Sequence, residues 1–267
     1  MTDRGLSERH TLRVVGMSAT AYRYRPAPDR ISQRDPWFLS VSDKMKRMCG
    51  RFAQGASLGH IERMLRLEAI HNHVAEGPPR YNVAPSQLVT TLRLTKGGER
   101  ELVSLIWGLI PHWAKDPSSM HAPINARIES AAERPTFRDS YHHRRAIVPV
   151  SGFYEWQVKP GHKQPYFIRP QGDEDLLLLA GLWDRWQDRD TLAILTTDAQ
   201  EVMKPIHERQ PVLVALDDVD QWLREGNPGS GVPDLKAVPV SEKVNSPRND
   251  GPDLIEAIVN GKAERQT

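Results

Sequence analysis

The one cysteine of this chain lies in Met48-Cys49-Gly50-Arg51-Phe52, and a position directly after a methionine gives it two possible chemistries. With translation starting at Met48 and the methionine trimmed, Cys49 would open the chain as a 1,2-aminothiol. The α-amine of such a residue has a reference pKa of about 7.7 to 8, so near neutral pH it is partly uncharged and condenses with an aldehyde, after which the thiol closes a ring. Inside a peptide bond only the sulfur remains. On its own, a lone internal cysteine reads most simply as a small buried hydrophobe.

Three further segments hold polar groups where a core-building strand would not place them: Pro123-Ile124-Asn125-Ala126-Arg127, Gly152-Phe153-Tyr154-Glu155-Trp156 and His207-Glu208-Arg209-Gln210-Pro211. Glu155 among aromatics would be desolvated, its pKa raised and its carboxyl suited to passing protons. The competing reading is an exposed strand glutamate sharing a face with Gln157, and the residues alone favour it. His207, between Pro205 and Pro211, sits in a constrained turn and is a candidate general acid or base, or else one of ten ordinary histidines. Asn125 could orient a reactive group through its amide or simply close a turn.

Cys49, Asn125 and His207 are each followed two positions later by an arginine, namely Arg51, Arg127 and Arg209. In extended chain, residues i and i+2 share a face. Converging segments would then line a site with three guanidinium groups, whose planar forks suit phosphate; arginine's abundance in the chain offers a plainer account. Trp113 and Trp156 are candidate platforms for stacking unpaired bases, or core residues.

These groups need a scaffold to bring them together. The chain has 267 residues, 39% of them hydrophobic, enough for a substantial core. A single cysteine excludes an intramolecular disulfide framework and a multi-cysteine zinc site, and suggests a reducing compartment. His71-Asn72-His73 and His142-His143 lack partners at metal spacing, so no metal and no cofactor is expected. No apolar run approaches the roughly 18 residues of a membrane span. Residues 1–47 carry ten Lys or Arg against five Asp or Glu with no helical period, which leaves 26 against 29 and a net charge of −3 for residues 48–267. The first segment is expected to be a disordered leader, or to precede the true start. Bulk charge on the remainder gives no argument for nucleic acid.

Ser57 is expected to cap a helix through Leu58, Ile61 and Leu65, and Asp217 one through Trp222 and Leu223. Strands are expected at Leu88 to Leu94, Leu102 to Trp107, Ala146 to Val150, Tyr166 to Ile168, Leu176 to Leu182, Leu192 to Thr197 and Val212 to Leu216. Short strands, few helices and no βαβ rhythm predict an α+β fold: one domain over 48–267, largely antiparallel β-sheet with a few flanking helices.

Taken in order, the four segments resemble the SRAP family, the SOS response-associated peptidase fold understood as abasic-site processing proteins. Further landmarks are Arg80-Tyr81-Asn82-Val83-Ala84-Pro85, Trp107-Gly108-Leu109-Ile110-Pro111, Ile128-Glu129-Ser130, Thr196-Thr197-Asp198-Ala199 and Asn249-Asp250-Gly251-Pro252. The resemblance implies that Cys49, as first residue, captures the ring-opened aldehyde of an abasic site in single-stranded DNA as a thiazolidine, a covalent crosslink that shields the lesion. It implies that Asn125 positions the cysteine and the sugar, that Glu155 transfers protons and supports self-release of the new amino terminus, and that His207 protonates the sugar oxygen and serves crosslink reversal. Arg51, Arg127, Arg209, Trp113 and Trp156 would form the DNA-binding surface. Residues 1–47 depart from the family pattern, so the expectation is initiation at Met48 or removal of a leader. Gln210 also departs, standing where the family commonly has a larger residue. A monomer in the cytoplasm, nucleoid-associated when engaged on DNA, is expected. Two other readings stay open: a cysteine peptidase acting on other proteins through Cys49, His207 and Glu155, and a reversible single-stranded nucleic-acid binder.

Overall fold

The computed structural model describes residues 49–67, 71–116, 122–172, 175–231 and 233–258. Two antiparallel-rich sheets pack face to face. The first has five strands in the order β12-β8-β7-β1-β2, with β1 Arg51–Gln54, β2 Arg80–Val83, β7 Gly152–Lys159, β8 His162–Pro170 and β12 Leu235–Pro239. The second holds β3 Leu88–Leu94, β4 Arg100–Trp107, β5 Asn125–Arg127, β6 Arg145–Val150, β9 Leu177–Trp186, β10 Arg189–Asp198 and β11 Arg209–Pro211. In it β10 pairs with both β9 and β4, so β10-β4-β3-β6-β9 closes on itself like a barrel. The β10–β4 and β10–β5 pairings are parallel.

Alternation along the strands builds the layers. Phe52, Phe153 and Ile168 of the first sheet face Val89, Leu105, Trp107, Val148, Leu179 and Ile194 of the second in one buried cluster, which also contains Cys49 and Met203. Their chain neighbours Ala53, Tyr154 and Phe167 point to the opposite face, where Val238, Val240, Val244 and Leu254 of the C-terminal segment cover them. The far side of the second sheet is sealed by α1 (Leu58–Met64), through Ile61, and by α4 (Val219–Glu225), through Trp222 and Leu223. Two short helices, α2 (Ile128–Ala131) and α3 (Arg138–His143), follow β5. Ser57 caps α1 by accepting the His60 N–H at 3.3 Å, as its type and position predict.

The α+β architecture and the expected strands from Leu88 to Thr197 are present, with β8 longer than the Tyr166 to Ile168 run alone indicates. The expected strand from Val212 to Leu216 is not. The ladder is β11, three residues earlier, and beyond it Val212 and Val214 donate to Leu195 and Leu178 respectively. This segment wedges between β9 and β10, bonding to each in turn, before Leu216 opens a 3₁₀ turn. The helix after Ser57 is also shorter than its apolar spacing suggests, ending at Met64 with Arg66 in the left-handed region. The expected leader, residues 1–47, lies outside the described residues.

Gly152 opens β7 against β8 so closely that a Cβ there would lie 2.5 Å from both the Ile168 carbonyl oxygen and the Phe167 ring. Overpacking of that kind typically costs about 1–3 kcal/mol. Gly152→Ala is therefore expected to lose about 2 kcal/mol in urea-induced unfolding; an unchanged midpoint would contradict this packing.

Candidate active site

The site begins at the end of β1. Cys49 is fully buried, and with φ 41° it sits in the left-handed region, which a non-glycine residue occupies only when its surroundings hold it there. That turn aims the Cys49 nitrogen at Glu155, whose Oε2 accepts its N–H at 2.9 Å. The other oxygen, Oε1, accepts the N–H of Trp156 at 3.1 Å. Glu155 shares a strand face with Phe153, the inner one, and is 2% exposed. Burial raises its pKa above the ordinary carboxylate value, opposed by the two N–H donors and by the nearby His207 and Lys163 side chains. Burial also pushes the Cys49 thiol well up, and the Glu155 charge adds to it. The reading of Glu155 as an exposed strand residue is thus overturned: the alternation places it beside Phe153 in the inner layer.

His207 reaches the same region from another direction. Its N–H bonds the carbonyl of Met203, a member of the cluster that holds Cys49, at 3.0 Å. Gln157 of β7 bonds the Pro205 carbonyl at 2.9 Å, which ties the Glu155 strand to the His207 turn. The ring nitrogen Nδ1 accepts the Arg209 N–H at 3.1 Å. Gln210, the residue that departs from the family pattern, is buried and accepts the Gln200 N–H at 2.9 Å, bracing the base of this turn. Asn125 opens β5 opposite Ile194 of β10, next to Ile124, which packs against the Cys49 cluster. Cys49, Glu155 and His207, from three distant stretches of chain, thus meet at one junction between the sheets, with Asn125 next to Ile124 on the strand that pairs with β10. A cavity of about 360 Å³ lies behind the His207 turn, lined by Gln200, Gln210, Leu213 and Leu235, and holds none of the four.

The arginines behave differently from one another, and no shared rim of three forms. Residues i and i+2 share a face only in extended chain, and the left-handed Cys49 breaks that parity. Arg51 therefore points to the outer face with Tyr154, donating to Asn82 Oδ1 and the Val244 carbonyl at 2.8 Å each; burial lowers its pKa. Asn82 in turn binds the carbonyls of Val244, Ser246 and Asn249, and Asp250 accepts the N–H groups of Tyr81 and Asn82. These contacts explain the Arg80–Pro85 and Asn249–Pro252 landmarks as a clasp for the C-terminal segment. Arg209 is 7% exposed and bound by Glu129, Asp198 and the Thr196 carbonyl. Only Arg127 projects outward, 3.9 Å from Glu129. Of the tryptophans, Trp113 is half exposed on a loop whose His112 N–H is held by buried Asp184 at 3.0 Å. Trp156 donates its indole N–H to Asn245 Oδ1 at 2.7 Å and keeps part of its ring in solvent.

Sequence reasoning passed over one motif and one residue. Gly55-Ala56-Ser57-Leu58-Gly59 has the spacing of a hydrolase nucleophile elbow. Ser57, at φ −67° and ψ 152°, is however an unstrained helix cap rather than an elbow. Glu129 was named only within a landmark, although a carboxylate two residues after Arg127 was the available signal. Among the described residues no cluster of three or more His, Cys, Asp or Glu could hold a metal ion, and no helix is long and apolar enough to cross a membrane.

The model of the SOS response associated peptidase family (SRAP) matches residues 48–247. The chain is 36% identical over 228 residues to the abasic site processing protein YoqW of Bacillus subtilis, covering 79% of this chain and 100% of that one. It is 35% identical over 226 residues to the abasic site processing protein YoaM of the same organism, covering 79% and 98%. A crystal structure of a protein from Bacteroides thetaiotaomicron superposes with a TM-score of 0.63 at 22% identity, covering 79% of this chain and 100% of that one. The chain belongs to the SRAP family.

An acid whose folded pKa is raised above its unfolded value binds more protons in the folded state, so its ionisation removes stability as pH rises through the interval between the two. Glu155→Gln cannot ionise. Thermal melts of parent and variant are therefore expected to diverge in the variant's favour as pH rises above about 4.5, the ordinary value, by about 1.4 kcal/mol per unit of displacement. Parallel curves between pH 4 and 8 would contradict a desolvated Glu155.

Proposed function

We propose that this protein captures abasic sites in single-stranded DNA as a covalent thiazolidine built on Cys49 as the first residue of the chain. The observation that carries the reading is the 2.9 Å contact between the Cys49 nitrogen and Glu155 Oε2. The atom that would be the nucleophile already faces a buried carboxylate able to take its proton. The names of the relatives, abasic site processing proteins, support the substrate class.

In the reacting form the residues before Cys49 are absent, through initiation at Met48 followed by methionine removal or through cleavage of a leader. The free α-ammonium gives a proton to Glu155, and the neutral amine adds to the aldehyde carbon of the opened sugar. Glu155 returns the proton to the carbinolamine hydroxyl, which leaves as water. The thiol then adds across the C=N bond, sulfur to carbon and proton to nitrogen, closing the five-membered ring. One water is released and no cofactor is consumed. His207 protonates the sugar ring oxygen as the aldehyde is unmasked, and Asn125 orients the sugar. Should a leader be present, the Cys49 thiol gives its proton to Glu155 as its sulfur attacks the Met48 carbonyl carbon, Glu155 passes that proton to the departing nitrogen, and water then hydrolyses the thioester. Arg127 and Trp113, both exposed, and the half-buried Trp156 hold the strand, while Arg51 and Arg209 shape it from within.

The test pairs intact-mass measurement with a denaturing gel of the protein and an abasic oligonucleotide. The expected result is a chain beginning at Cys49 that forms an adduct with the abasic strand, none with an intact strand, and none after Cys49→Ala. An adduct formed while residues 1–48 remain attached would overturn the ring chemistry. Arg127→Ala should weaken reversible binding to single strands and lower the slope of log affinity against log salt by about 0.7; an unchanged slope removes that residue from the phosphate contact.

A further inference from the structure

Arg209 lies on the opposite side of β10 from the acid it binds. Strand β11 pairs with β10 along one edge, Asp198 opposite Arg209 and Thr196 opposite Pro211. Strand β5 pairs with β10 along the other edge, Thr196 opposite Arg127. The Arg209 guanidinium crosses over Thr196, taking its carbonyl at 2.7 Å, and meets Glu129 in a two-point fork: Nη1 to Oε1 at 2.7 Å and Nη2 to Oε2 at 2.8 Å. Thr196 itself donates to the Ala126 carbonyl at 3.2 Å. Glu129 lies two residues after the end of the Asn125 strand, on the helix that follows it. The fork therefore ties the segment carrying Asn125 to the segment carrying His207.

That tie has a consequence for the imidazole. The backbone N–H of Arg209 points at His207 Nδ1, which requires a lone pair on that nitrogen. The neutral ring then carries its proton on Nε2, and Nε2 alone exchanges protons with anything bound in the site. The direction of that N–H depends on where Arg209 is held, and a planar bidentate pair fixes a residue far better than a single contact. Asp198 also binds Arg209, but with its side chain 82% exposed it is a solvated rim partner. Charge agrees with geometry: Arg209 holds the Glu129 carboxyl below its usual range, and Glu129 raises the Arg209 pKa in return.

We propose that Glu129 is a positioning residue, which through its bidentate pair with Arg209 clamps the 207–209 turn to the Asn125 strand and holds His207 in the tautomer protonated on Nε2. The tautomer stands on this geometry alone; its effect on crosslink reversal rests on the function proposed above. The test begins without DNA, with ¹⁵N-histidine-labelled protein and two-bond ¹H–¹⁵N spectra in which the His207 signals are identified by their loss in His207→Ala. The parent is expected to show the Nε2–H pattern alone. Glu129→Gln, with its fold verified by circular dichroism, is expected to show a mixture of tautomers, and Glu129→Asp, which keeps the charge, to return most of the parent pattern. Should Glu129→Gln not fold, the same spectra of Arg209→Lys, which keeps a cation but loses the fork, report the same quantity. The parent pattern persisting in the variant examined overturns the proposal whatever the DNA chemistry proves to be. A second arm measures release of preformed crosslinks, expected to be about tenfold slower in Glu129→Gln, a fraction of the roughly 10²–10⁴ that a positioned acid or base supplies. Mixed tautomers with an unchanged release rate would keep the clamp and reject the role of His207 in reversal.

Discussion

Everything in the site is arranged around a buried carboxylate that accepts a backbone nitrogen. Glu155 occupies an inner-face strand position that a hydrophobe would fill more cheaply, since burying a carboxylate forfeits its hydration. What makes the position tolerable is that both oxygens have partners, the N–H groups of Cys49 and Trp156, so neither lone-pair set is left bare. Reaching that arrangement requires Cys49 to adopt a left-handed backbone, a conformation worth of order 1–3 kcal/mol of strain. The strain and the desolvation fall on the same pair of residues. Such local conflict between stability and geometry marks a site shaped for chemistry rather than for folding.

The fold supplies the means of bringing distant segments to that pair. Strand β10 has β9 along one edge; on the other, β4 pairs with its first residues and β5 with its later ones, while β11 pairs with its C-terminal end. One strand therefore registers both the Asn125 and the His207 segments, and a register set by ladders leaves little freedom for relative sliding. The first sheet contributes Glu155 and delivers Cys49, and the Gln157 contact with Pro205 joins the two sets. Precision here comes from strands and from a turn tied at both ends, which hold a constellation more tightly than free loops would.

Much of the scaffold was legible from alternation and turn chemistry, because β3, β4, β6 and β10 carry their own apolar patterns. The Val212 to Leu216 segment was misread for a physical reason: its apolar run is set by the gap it fills between β9 and β10, not by a ladder of its own. The site was less legible. A glutamate beside Gln157 looks solvent-facing until the partner layer is known, in which Phe52 packs against Trp107 with ring centroids 4.6 Å apart. For Arg51 the arginine pattern turned on one dihedral angle, that of Cys49. Parity arguments assume extended backbone, and Cys49 is the residue where that assumption ends. The internal pairing of Arg209 was not legible because the two acids that bind it, Glu129 and Asp198, come from separate stretches of sequence.

The fate of the arginines bears on what kind of DNA binding the proposed function allows. Residues 48–267 carry a net charge of −3, and the guanidinium groups of Arg51 and Arg209 are already engaged within the protein. A reversible binder of single strands depends on several free cations along a groove, and at this junction Arg127 is the exposed one of the three. Affinity built on so few phosphate contacts is modest and salt-sensitive. A covalent trap has no need of more: once the ring closes, retention depends on the bond rather than on counterion release. A weak footprint then serves selectivity, since undamaged strands, lacking the aldehyde, dissociate while the rare damaged one stays. On the proposed function, the engagement of Arg51 and Arg209 within the protein suits retention by a bond, in keeping with a carboxylate placed against a nitrogen.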